Sequence, residues 1–173
     1  GSRVAGIEIV VVADAVRAHV VASTLILGAD RREETQHWTT LEMPCRGTPD
    51  AWTDEYVVDL KTTRCAEPEK FQRDAMFRAY HAQLAWYADG LAEMDGKVRD
   101  CFIVAVENKA PYAVSVHKLT AGTIEQGRRL NRLWLERVKV CESSGEWPGY
   151  SPLPLAWDIP EMVELDFGTG DDE

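Results

Sequence analysis

Residues 56–63, YVVDLKTT, set a carboxylate and an ammonium two positions apart near the end of a run that otherwise favours a buried strand. Side chains two apart on a strand share a face. Asp59 and Lys61 therefore look the same way, along with Val57, while Val58 and Leu60 turn into the core. A strand of this kind has to be covered on its apolar side, and its charged end has to meet polar partners.

The flanking pattern supplies the cover. Apolar spacing predicts a helix from about Asp14 to Leu27, ended by Gly28. ADRREETQ reads as a charged turn, and residues 37–52 as extended chain in which Pro44 and Pro49 restrict pairing. A long helix is expected from about Glu69 to Met94, with Phe77, Tyr80, Leu84, Tyr87 and Leu91 on one side. The strands DCFIVAVEN and YAVSVHKLT form a hairpin, and a last helix runs from Ala121 to Glu142. This order predicts an α/β (α+β) fold, a mixed central sheet flanked by helices. A chain of 173 residues fits one such domain.

Gly1-Ser2 reads as a cloning scar, 3–167 as a single domain and 168–173 as a disordered acidic tail. No apolar run is long enough to span a membrane, and no leader is evident, so a cytoplasmic protein is expected. The four cysteines, Cys45, Cys65, Cys101 and Cys141, form no C-x-x-C pair, which disfavours zinc and iron–sulfur sites and fits reduced thiols. Net charge is −10, from 19 bases and 29 acids, which argues against a simple nucleic-acid coat. Six of the acids fall in 161–173, and without them the balance is −4. Acids that hold metal ions leave room for an enzyme acting on DNA.

Asp50 lies nine residues before Asp59, across the short turn at 52–55. A hairpin through that turn brings the two carboxylates together. Two such oxygen ligands suit Mg²⁺, or Mn²⁺ in its place, with the Leu60 carbonyl as a further ligand. A neighbouring Lys61 stabilises charge on a phosphate and helps orient or deprotonate the attacking water. On its own, D-x-K on a strand is more often a solvated ion pair; Asp50 after RGTP makes the combination rarer.

RGTPD followed by VVDLKTT resembles the PD-(D/E)XK nuclease core. YHAQLAWYADGL resembles the Q-x-x-x-Y helix of its exonuclease branches, carried by Gln83 and Tyr87. FIVAVENKAPYAVSVHKL and WPGY extend the likeness toward the RecE-type group, the exodeoxyribonuclease VIII-like enzymes of phages and prophages, over most of 33–157. The resemblance implies a Mg²⁺-dependent deoxyribonuclease that degrades linear double-stranded DNA from 5′ ends and leaves 3′ single strands for recombination. It implies DNA ends and a RecT-like annealing protein as partners, a ring-like trimer or tetramer, and no membrane. By position, Asp50, Asp59 and Lys61 are catalytic, Asp50, Asp59 and the Leu60 carbonyl hold metal, and Gln83 and Tyr87 support the site or touch the phosphate backbone.

Several residues keep two readings. Glu33 or Glu34 can supply the family's acid before the first strand, or lie in a solvated turn. RecE-type proteins carry a histidine on an upstream helix; His19 is the candidate, but its surroundings differ and it reads as a plain helix residue. A chain lacking that helix has an incomplete site. Arg128 and Arg132, one helical turn apart, face phosphates or simply solvent. Glu107 faces the site or the hairpin turn, and Trp52 can stack on a base. Two other readings remain: a non-catalytic DNA-binding or assembly module of nuclease fold, and another PD-(D/E)XK nuclease such as a Cas4-like enzyme.

Overall fold

A computed structural model of the chain describes residues 2–150, 153, 154 and 156, with the backbone alone at 2–9. The expected tail at 168–173 and most of the closing segment lie outside these residues.

Five strands make the main sheet, in the order β1 (Arg31–Arg32), β4 (Ala51–Trp52), β5 (Tyr56–Thr63), β6 (Asp100–Glu107), β7 (Val114–Lys118). β5 and β6 are parallel and every other neighbouring pair is antiparallel. The sheet is therefore mixed, as expected. A parallel pair needs a long crossover, and α3 (Pro68–Phe77) with α4 (Tyr80–Asp95) supplies it. β2 (Gln36–Thr40) and β3 (Met43–Gly47) form a separate hairpin. It packs on α4, where Trp38 lies so close that a Cβ on Gly90 would stand 2.5 Å from its ring. The stretch expected to be extended thus divides between two sheets, and the charged turn before it contains β1.

Both faces of the sheet are buried. Val57, Phe71, Leu84, Leu91, Cys101 and Ile103 form one core with α3, α4 and α5 (Ala121–Ser144). Val16, Leu25, Val58, Val104 and Val106 form the other with α1 (Ser2–Ala18) and α2 (Val20–Leu27). Val57 is as buried as Val58, so the two sides of β5 serve two cores instead of a core and a solvent face. The four cysteines are free thiols.

Two expected helices are broken. The helix read from Asp14 to Leu27 begins earlier and bends by 105° at His19. There the backbone turns extended, and the imidazole Nδ1 accepts a 3.2 Å hydrogen bond from Ala22 N, capping α2. No single described helix is long and apolar enough to cross a membrane. The helix read from Glu69 to Met94 breaks at Ala79, which adopts the left-handed conformation (φ 55°). Phe77, expected on the inner face, is consequently 85 % exposed. Apolar spacing continues across both breaks, so periodicity alone conceals them.

Candidate active site

Pairing register assembles the acids. Ala51 faces Val58 and Trp52 faces Val57 across the β4–β5 turn, so the next residues outward are Asp50 and Asp59. Arg31 faces Trp52 and Arg32 faces Ala51, and the row is extended by Glu33 N, which donates to Asp50 O at 3.2 Å. Glu33, Asp50 and Asp59 thus occupy adjacent backbone positions at one sheet end, with the Glu33 side chain exposed.

Asp50 is held by its own strand partner. Its Oδ2 accepts a 2.6 Å hydrogen bond from Leu60 N. The carboxylate substitutes for a strand that stops one residue too early, and this fixes its distance from β5.

Asp59 is 2 % exposed. Lys61 Nζ lies 2.6 Å from its Oδ2 as an ion pair. Apart from this ion pair, Asp59 Oδ2 has no hydrogen-bond partner among the described residues. Burial pushes the Asp59 carboxyl up to about 6; Lys61 opposes the rise and Asp50 adds to it. Lys61 is itself held below the ring of Tyr80, 4.6 Å from its centroid. Ala79, the strained residue, directly precedes Tyr80, so the helix break is what delivers that ring to the lysine. Sequence spacing assigned Tyr80 to a continuous apolar stripe and missed this role.

Gln83 and Tyr87 form a pair on α4, with Gln83 Nε2 donating to Tyr87 Oη at 2.9 Å. The Tyr87 ring lies against Gly47, three residues before Asp50, where a Cβ would stand 2.8 Å away. The pair therefore braces the segment that carries Asp50.

Other expected residues fall elsewhere. Arg128 is held by both oxygens of Asp89 on α4, at 2.8 to 3.0 Å. Arg132 lies further along α5, beside Trp38 and Trp86. Glu107 Oε1 accepts from Ala66 N at 3.0 Å and so fixes the loop after β5. Trp52 is unavailable for stacking on a base: it is buried between Arg31 and Arg99, 4.3 Å and 5.4 Å from its ring. Conversely, a cleft of about 250 Å³ beside Tyr80 is lined by Arg64, Lys70 and Arg78, three cations that the sequence pattern did not single out. Arg78 is paired with Asp74 at 2.9 Å.

Residues 8–153 match a family described as a PDDEXK-like domain of unknown function (DUF3799). The chain belongs to this family. Its fold is shared with the crystal structure of a candidate exonuclease from Eubacterium rectale, at a TM-score of 0.65 and 13 % identity. That match covers 79 % of this chain and 53 % of the other, so this PDDEXK-like domain spans about half the length of that protein. No curated protein matches the chain in sequence. The domain thus carries the PD-(D/E)XK nuclease fold.

The donor set fits a divalent cation. A buried carboxylate met by one lysine, beside a second carboxylate anchored by a backbone amide, sets two negative charges against one positive charge and makes a hard-oxygen site.

Proposed function

We propose that this domain is a metal-dependent deoxyribonuclease, a 5′-to-3′ exonuclease on linear double-stranded DNA. The observation that carries the reading is the convergence of Asp50 with a buried Asp59 whose partner is Lys61. Asp50, Asp59 and the Leu60 carbonyl would hold Mg²⁺, or Mn²⁺ in its place, with Glu33 at the margin. Bound there, the cation would supply Lewis acidity toward the phosphate and lower the pKa of water.

The chain's own groups do the rest. Lys61, oriented by Asp59 and the Tyr80 ring, offsets the charge that grows on the phosphate oxygens as water adds to phosphorus. The P–O bond to the leaving oxygen breaks in the same step, and no covalent enzyme intermediate forms. Gln83 and Tyr87 keep Asp50 in place. Arg64 and Lys70 line a cleft next to Lys61 and suit a phosphate backbone. Arg132 can contribute at longer range, whereas Arg128 is committed to Asp89.

The resulting 3′ single strands would pass to a RecT-like annealing protein in recombination. A ring-like trimer or tetramer around the duplex would keep the enzyme on its substrate. A linear duplex labelled at either the 5′ or 3′ end, incubated with Mg²⁺, tests this reading. Early release of the 5′ label, abolished by Asp59→Asn, supports it. Degradation equal in wild type and Asp59→Asn overturns it.

A further inference from the structure

A second cavity, of about 330 Å³, opens on the same face of the sheet as Asp59. Asp59, Ile103 and His117 are paired across β5, β6 and β7. With strands about 4.8 Å apart, His117 stands about 10 Å from Asp59 along the sheet. Phe71 lies between the two regions: it lines both this cavity and the cationic cleft beside Tyr80. Its ring stacks on His117, with centroids 5.0 Å apart.

The lining combines an apolar floor with hydrogen-bonding groups, of which the His81 ring makes no hydrogen bond within the described residues. His81 is 9 % exposed, lines the cavity, and has no hydrogen-bond partner among the described residues. Its ring nitrogens are not sealed from solvent, so they stand open to a ligand in the cavity. His117, by contrast, has both nitrogens engaged, by Ser115 Oγ at 2.9 Å and Gln72 Nε2 at 3.4 Å. Gln72 and Gln126 are exposed at the rim, and the Thr120 and Thr123 hydroxyls there bond each other where Thr120 caps α5.

Charge decides which class of molecule fits. Lys118, the lysine in the lining, is paired with Asp100 at 2.7 Å. Burial lowers the His117 pKa, which favours the neutral ring. A phosphate would enter with little counter-charge. A flat, neutral heterocycle meets apolar surface on its faces and amide and imidazole groups at its edge, and glutamine amides pair well with purine edges. The volume is at the small end of the range for ligand sites, right for one ring system.

We propose that this cavity is a nucleobase-binding site separate from the acidic site, with Gln72, His81 and Gln126 reading the edge of the base. The nature of the occupant rests on the nucleic-acid reading of the domain. The base could belong to a free nucleoside or to a strand crossing from the acidic site, and the two are separable.

The test is a titration of the whole domain in EDTA, so that it is independent of cleavage. The imidazole NMR signals of His81, assigned with His81→Asn, are followed against deoxyadenosine, a single-stranded oligodeoxyadenylate and inorganic phosphate. Saturable shifts with deoxyadenosine support a nucleoside site. Shifts with the oligonucleotide alone support a strand base. In either case Gln126→Ala, at an exposed position, should weaken binding at least tenfold while leaving the thermal melt unchanged. The proposal is overturned if neither nucleic ligand moves these signals at millimolar concentration, if phosphate moves them equally, or if Gln126→Ala binds as well as wild type. Loss of Mg²⁺-dependent cleavage with binding intact would sink the nuclease reading and leave this site standing.

Discussion

Lys61 Nζ stands 2.6 Å from Asp59 Oδ2, and the two side chains leave the same face of β5. The lysine is 18 % exposed and the aspartate 2 %. A buried pair of this kind gains little stability overall, because desolvation offsets attraction. Its geometry suits a different role: a carboxylate ready to bind a cation and an ammonium ready to face an anion.

Replacing Lys61 by Met separates those two roles. Loss of one preorganised charge donor typically costs about 10²–10³ in rate. Lys61→Met should therefore cut DNA hydrolysis by about that factor while Mn²⁺ still binds in calorimetry. Loss of Mn²⁺ binding together with activity would mean that Lys61 shapes the cation site instead of serving the phosphate.

Stability of the metal-free domain should fall as pH rises. The folded-state pKa of Asp59, about 6, lies above the ordinary value of 3.8. The folded state therefore holds its proton more tightly, and this contribution is full below about pH 4 and lost as pH rises through 6. Two pKa units correspond to about 3 kcal/mol. Urea unfolding in EDTA at pH 5 and pH 8 should show wild type losing about 1 kcal/mol more than Asp59→Asn, the part of the linkage that lies above pH 5. Equal pH dependence in the two proteins would contradict it.

The break between α3 and α4 makes an opposite prediction to a continuous helix. Ala79 is left-handed, at φ 55°, which costs a residue with a Cβ about 1–2 kcal/mol. Ala79→Gly should raise stability in urea unfolding by up to about 1 kcal/mol. In a continuous helix the same change would lower stability by about as much.

Salt dependence of DNA binding separates the two arginines of α5. Each phosphate contact contributes about 0.9 to the slope of log affinity against log salt. Arg132→Ala should reduce that slope by about this amount. Arg128→Ala should leave it unchanged, because Asp89 already holds the guanidinium. A reduced slope for Arg128→Ala would show that the ion pair opens on DNA.

The mixed sheet and the juxtaposition of Asp50, Asp59 and Lys61 were legible in the sequence for a simple reason. Strand alternation and a short turn are local, and they determine which residues face each other. What joins distant elements was not legible. The ring of Tyr80 reaches Lys61 through a left-handed alanine, a conformation that no residue preference at Ala79 signals. His19 bends the first helix through a cap that looks, in sequence, like one more helical position. Arg128 finds Asp89 across 39 residues of chain, and a pairing of that kind leaves no periodic trace. Trp52 looked free beside a loop, yet Arg31 and Arg99 come from both sides to enclose it.

The central claim is that Asp50 and Asp59 jointly bind a divalent cation. Anomalous diffraction from a crystal of the domain soaked in Mn²⁺ tests it most directly. The account predicts a peak about 2.2 Å from a carboxylate oxygen of each residue, absent in Asp59→Asn crystals. A fully soaked crystal with no peak between Asp50 and Asp59, or with an equal peak in Asp59→Asn, would contradict it.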